Sequence, residues 1–160
     1  MKNTFVLLLL LFVSMSGFAQ ADQVSVVKDS DGMKLVVNGE DFMINGMNWD
    51  YIPIGYNTID AEFWKKPDDI IRAGLDTEMA LLKNMNVNVI RQYTGVPVKW
   101  IQYIYENYGI YTMLNHSFGR YGITRDGDYN PITDYADPSS REFLLSEVRQ
   151  LATEYKDTPG

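Results

Sequence analysis

Val87-Asn88-Val89-Ile90-Arg91-Gln92-Tyr93 is a short β-branched run that turns polar and aromatic at its C-terminal end, and reading it as a strand decides the fold. Before it, Ile71, Leu75, Met79 and Leu82 recur at helical spacing, giving one apolar stripe. Pro67-Asp68-Asp69 ahead of that stripe suits a helix start, with proline in the first turn and two acids at the positive end of the helix dipole. The helix is expected to end near Asn84. After the strand, Pro97 opens a second helix with Val98, Ile101, Tyr105 and Tyr108 on one face and Gly109 as its stop.

The same alternation extends in both directions. Upstream, Asn38-Gly39 separates two apolar runs, a strong hairpin signal, and Val24 to Val27 is a further strand candidate. The second run continues through Met47 to Asn48-Trp49-Asp50-Tyr51 and reads as the first strand of the parallel series. A Pro- and Gly-containing loop from Ile52 to Lys66 leads to the first helix. Downstream, Ile110 to Asn115 reads as the third strand and roughly Phe118 to Ala136 as a polar loop. Asp137 then caps a helix with Pro138 at its first position and Leu144, Val148, Leu151 and Tyr155 as its buried stripe.

Strand and helix therefore alternate three times, with connections short enough for right-handed parallel crossovers. Such units build either an open doubly wound sheet or a closed barrel. No glycine-rich phosphate loop follows any strand, which lowers the nucleotide-binding alternative. The expected fold class is α/β, the N-terminal part of a TIM (β/α)₈ barrel with about three strand–helix units preceded by a β-hairpin. A complete barrel needs ~250 residues, so a chain of this length supplies only part of one.

Lys2 precedes an apolar run from Phe5 to Val13, followed by small and polar residues and Ala19-Gln20-Ala21. That pattern reads as a secretory signal peptide over residues 1–21, leaving 22–160 as an incomplete barrel portion exported to the periplasm or medium. The run is far short of the ~20 apolar residues that a spanning helix needs, so no membrane association is expected once the signal is removed. Cysteine is absent, which excludes disulfides and thiolate metal sites. The formal charge of −7 becomes −8 when Lys2 leaves with the signal, and an acidic chain of this kind does not suit nucleic acid or anionic lipid. The 11 Tyr and 3 Trp are compatible with ligand platforms, although aromatic filling of the core is the simpler account.

In a parallel α/β barrel, functional groups project from the C-terminal ends of the strands. Those ends are Asn48-Trp49-Asp50-Tyr51, Arg91-Gln92-Tyr93 and Asn115-His116-Ser117-Phe118. Each apolar strand switches to polar and aromatic residues at the same end, which suggests a pocket where planar polar groups meet sugar hydroxyls and rings meet C–H faces.

The residues also follow a family pattern. Phe42-Met43-Ile44-Asn45-Gly46-Met47-Asn48 resembles the F-x-I-x-G-x-N opening strand of clan A glycoside hydrolases. Leu81-Leu82-Lys83-Asn84-Met85-Asn86-Val87-Asn88-Val89-Ile90-Arg91 resembles their L-L-K-x-x-G-x-N-x-I-R segment, with Asn86 in place of glycine. Tyr108-Gly109-Ile110-Tyr111-Thr112-Met113 resembles their Y-G-I-Y-V third strand, while Gln92 stands where valine is usual. The nearest forms are the barrel of glycoside hydrolase family 2 and the fungal-type β-1,3-glucanosyltransferases.

What the resemblance implies is a retaining mechanism with two glutamates, an acid/base after the fourth strand and a nucleophile after the seventh. Neither segment lies within these 160 residues, so no catalytic residue is expected here and the chain alone is expected to be inactive. The residues expected to contact substrate are Asn48, Trp49, Asp50, Arg91, Tyr93, Asn115 and His116. By resemblance Arg91 would hydrogen-bond near the nucleophile and keep it ionised, and His116 would line the subsite of the cleaved sugar. Competing readings pair Arg91 with a structural acid, make His116 a satisfied polar core group, Trp49 a core plug and Asp50 a turn former. Tyr93, Asn115, Phe118 and Arg120 are supported mainly by location, and Asp60, Glu62, Asp126 and Asp128 read as solvated loop acids. No cofactor or metal is expected, and the expected partner is an oligo- or polysaccharide. The alternative function is a non-catalytic carbohydrate-binding protein.

Overall fold

The structure is a computed structural model that describes residues 21–52, 54–55, 62–93 and 95–160. Asp60 and all but Ala21 of the expected signal peptide lie outside the described residues.

Asn38 and Gly39 take φ values of 52° and 87°, the paired left-handed conformation that a two-residue hairpin requires. This turn folds β2 (Gly32–Val37) back on β3 (Glu40–Phe42), with Val37 opposite Glu40. The strand expected at Val24 extends to Asp29 as β1 (Val24–Asp29) and pairs antiparallel with β2 from Val24↔Val37 to Asp29↔Gly32. The hairpin is thus part of a three-stranded antiparallel sheet.

The chain then enters a parallel sheet of β4 (Gly46–Asn48), β5 (Val89–Tyr93) and β6 (Tyr111–Asn115), ordered β4-β5-β6. Two asparagines fix its entry. Asn88 accepts from the Asn45 N–H at 2.8 Å through Oδ1 and donates to the Met43 carbonyl at 2.8 Å through Nδ2, while the Asn45 side chain donates to the Asn86 carbonyl at 2.5 Å. Asn86 has φ 61°, a left-handed position that asparagine tolerates better than most residues.

Helices α1 (Asp68–Asn84) and α2 (Val98–Tyr108) join the parallel strands, and α3 (Pro138–Tyr155) follows the third. Ile71, Leu75, Met79 and Leu82 of α1 are all buried, as their spacing predicts. In α2 the buried residues are Trp100, Ile101 and Ile104, so the expected stripe of Val98, Ile101, Tyr105 and Tyr108 is displaced around the helix. The reason lies in the tyrosine hydroxyls, which need partners and hold the rings at the margin. Tyr108 donates to Asp76 at 2.7 Å, alongside Tyr103 at 2.6 Å, and Tyr105 faces the Tyr111 hydroxyl. Those two bonds hold the Asp76 carboxyl below its ordinary range. Gly109 ends α2 at φ 66°. In α3 Asp137 caps the N-terminus as read and Leu144 is buried, but Val148 is 43% exposed because no described element covers that side.

A further difference lies between β6 and α3. The stretch read as a polar loop contains a second hairpin, β7 (Ile123–Arg125) and β8 (Asp128–Asn130), turned at Asp126-Gly127 with φ values of 51° and 88°. Its turn has the same chemistry as Asn38-Gly39.

The core lies between the parallel sheet and the helices, where Leu75, Met79, Ile104 and Ile110 are 0% exposed. Each such side chain contributes roughly 1.5–3 kcal/mol on burial. The architecture is therefore mixed α/β, and among the described residues no sheet closes into a barrel. No helix among them is long and apolar enough to cross a membrane.

Candidate functional site

Parallel pairing places register partners on the same side of a sheet, and residues two apart along a strand also share a side. Asn48 is paired with Arg91, Arg91 in turn with Met113, and Tyr93 with Asn115. Asn48, Arg91, Tyr93 and Asn115 therefore occupy one face at the C-terminal end of the sheet, opposite the face on which Ile90 packs into the helical core. Arg91 stands at the centre of this group. Its Nη1 donates to Asn48 Oδ1 at 3.3 Å, and its guanidinium lies 5.7 Å from the centroid of the Tyr93 ring. Arg91 is half-buried, and among the described residues no carboxylate forms an ion pair with it. The group is a cation with donors to spare, flanked by an amide on one side and a ring on the other.

The other strand-end residues go elsewhere. Trp49 is only 6% exposed and belongs to the core. Tyr51 stacks on it at 6.0 Å, and Phe63 and Trp64 meet it edge-on at 6.3 and 6.1 Å, so its ring faces are occupied by the protein itself. Asp50 is exposed beyond the end of β4.

His116 follows Asn115 and turns toward the helices. Its Nδ1 accepts from the Phe118 N–H at 2.9 Å, which leaves the proton of the neutral ring on Nε2, 3.9 Å from Glu147 Oε2. The Phe118 ring lies 4.4 Å from the imidazole, and Phe118 itself has φ 42°, a strained conformation for a bulky residue. Tyr135 helps to hold it there by donating to the Phe118 carbonyl at 3.1 Å. His116 lines a groove of about 370 Å³ with Val96, Pro97, Glu147, Glu154 and Tyr155. Burial pushes the Tyr155 hydroxyl up to about 12, and that hydroxyl donates to the Val96 carbonyl at 2.7 Å.

Five of the seven expected site residues thus fall into two places, a rim of Asn48, Arg91, Tyr93 and Asn115 and a groove at His116, while Trp49 is core and Asp50 stands apart in solvent. Sequence reading missed the acids of the groove. Glu147 and Glu154 are seven apart on α3 and share a helical side, but that spacing does not distinguish them from any solvated helix face. Among the described residues no cluster of three or more His, Asp or Glu side chains is placed to hold a metal ion.

Comparisons with family models, with curated proteins and with solved structures gave no match to this chain.

Proposed function

We propose that the chain is the substrate-binding N-terminal portion of a secreted retaining glycosidase or transglycosidase acting on β-linked polysaccharide. In this reading the three parallel strand–helix units are the opening part of a (β/α)₈ barrel, and segments outside these 160 residues supply the two glutamates. One observation carries it: the parallel register gathers Asn48, Arg91, Tyr93 and Asn115 on one sheet face at the strand ends. The sequential β4-β5-β6 order and the apolar N-terminal segment from Phe5 to Val13 support the barrel and export parts of the reading.

The chemistry assigned to the rim is recognition. Asn48 and Asn115 each offer an amide donor and acceptor, matching a hydroxyl that does both. Arg91 supplies fixed planar donors at a half-buried point and holds any carboxylate brought beside it in the ionised form a nucleophile needs. The Tyr93 ring is 53% exposed and presents an apolar surface to the C–H side of a sugar ring. With the glutamates elsewhere, the chain binds without cleaving.

Calorimetric titration with the β-1,3- and β-1,4-linked glucose, xylose and mannose hexasaccharides tests this. Binding is expected for at least one of them, weakened about tenfold or more in Arg91→Ala, with no reducing ends released. Absence of binding to all of them would sink the proposal.

A further inference from the structure

The β7–β8 hairpin carries a concavity of about 300 Å³, apart from the strand-end rim, lined by Ile123, Arg125, Asp126, Asp128, Tyr129 and Asn130. That volume lies at the lower end of small-molecule sites and suits one ring rather than a chain. Its polar walls are held in place. The Tyr129 hydroxyl donates to the Tyr121 carbonyl at 2.6 Å, Arg125 Nη1 donates to Ser139 Oγ at 2.8 Å, and Asn130 Oδ1 accepts from the Ile132 N–H at 3.0 Å.

Gly122 makes room for the ring. It has φ 98°, and a Cβ there would stand 2.9 Å from Tyr129 Cε2 and 2.3 Å from the Asn130 carbonyl oxygen. Tyr129 is nevertheless 63% exposed. A ring that is open to solvent yet pinned through its hydroxyl has little freedom left to lose when a ligand lies against it.

The lining also selects the ligand. One cation stands against two carboxylates, a balance that disfavours phosphate or carboxylate ligands. Arg125 only donates, Asp126 and Asp128 only accept, and Asn130 does both. A neutral ligand whose hydroxyls each donate and accept uses all four groups, and its C–H face matches the Tyr129 ring. We propose that the hairpin concavity is a separate sugar-binding subsite, taking one neutral pyranose unit with Tyr129 as its stacking platform. The inference rests on the glycan reading of the rim for the class of ligand and adds a second place where that ligand is held.

The test is a ¹⁵N–¹H titration of the ¹⁵N-labelled chain with the same hexasaccharides, comparing the parent with Tyr129→Ala, Tyr129→Phe and Arg125→Gln. Amides in the stretch 122–130 are expected to shift on titration. In Tyr129→Ala those shifts require roughly tenfold more ligand, Tyr129→Phe stays within about threefold of the parent, and Arg125→Gln is weakened. The spectrum of each variant shows directly whether it has folded, and Arg125→Gln carries the test if Tyr129→Ala has not. Shifts confined to residues near Asn48, Arg91 and Asn115 would overturn the hairpin subsite and leave the rim reading standing. Hairpin shifts without rim shifts would support the subsite and count against the rim. Hairpin shifts unchanged in Tyr129→Ala would overturn the stacking role, and no shifts anywhere would overturn both.

Discussion

Replacing Gln92 by leucine is expected to stabilise the chain. Gln92 is 3% exposed, lies on the same sheet face as Ile90 and its register partner Leu114, and its Oε1 is buried without a hydrogen-bond partner among the described residues. A buried acceptor left without a donor costs about 1–3 kcal/mol, because water satisfied it before folding. Leucine removes that acceptor and returns ~0.8 kcal/mol for each additional buried methylene equivalent. Its branch point differs from that of glutamine, and the shape mismatch takes back under ~1.5 kcal/mol. The net gain is therefore about 1–2 kcal/mol, or a rise of roughly 3–6 °C in Tm for a domain of this size.

Urea denaturation followed by tryptophan fluorescence gives the direct measurement. The midpoint should rise while the slope m stays constant, since the surface exposed on unfolding does not change. Gln92→Glu is the opposing control, expected to be much less stable because it places a charge in the same apolar layer. A Gln92→Leu protein equal to or less stable than the parent, with m unchanged, would refute the reasoning. It would mean that Oε1 has a donor, such as a buried water, and that the amide contributes to the fold.

Asn88→Ala removes the acceptor for the Asn45 N–H and the donor to the Met43 carbonyl, and is expected to lower stability by about 1–2 kcal/mol in the same urea assay, the groups being near enough to solvent to rehydrate. Hydrogen bonds from the Ser139 side chain and the Ser140 backbone depress Asp137 to about 2. A depressed carboxyl contributes stability that is present above its unfolded pKa of ~3.9 and is lost as pH falls through the folded value. Circular dichroism of acid-titrated samples should therefore show a loss between about pH 4 and 2 that is smaller in Asp137→Asn. Tyr155 titrates in the opposite sense. Its pKa is raised to about 12, so its contribution is present below the unfolded value near 10 and lost as pH rises toward 12. Tyr155→Phe is expected to cost about 1 kcal/mol at neutral pH and to flatten part of that alkaline loss, as read from unfolding midpoints across the range.

The elements with strong local signals were legible in the sequence. Pro67 with two acids, Gly109, and Asp137 with Pro138 each mark a helix boundary through a specific backbone requirement, and each boundary falls where that requirement puts it. The β7–β8 hairpin was not legible, although Asp126-Gly127 turns it just as Asn38-Gly39 turns the first. The difference lies in the flanks. Asn38-Gly39 sits between apolar runs, whereas the strands around Asp126-Gly127 are three residues each and mostly polar, so no alternation surrounds the turn. The displaced stripe of α2 has another cause. Periodicity alone counts a tyrosine as apolar, while the fold must also place its hydroxyl, and Asp76 on a neighbouring helix decides where.

The strand ends are governed by parity. A run such as Asn48-Trp49-Asp50 looks like one group of ligand contacts, but side chains alternate along a strand, so adjacent residues cannot share a face. Asn48, Arg91, Tyr93 and Asn115 are in phase with one another through the parallel register, and they form the rim. Trp49, Gln92 and His116 are each one residue out of phase, and each turns toward the helices. Trp49 suits that side and fills it, and His116 lies beyond the last paired residue, where it finds Glu147 and the Phe118 amide. Gln92 has neither advantage. It continues the polar switch that the rim uses, but at a position where alternation directs it into the apolar layer, and the buried oxygen without a donor is the physical consequence. The same switch from apolar to polar that builds the rim on one face thus strains the core on the other, which is why Gln92 and Arg91, neighbours in the chain, are expected to respond in opposite ways to substitution by an apolar residue: one by gaining stability, the other by losing ligand.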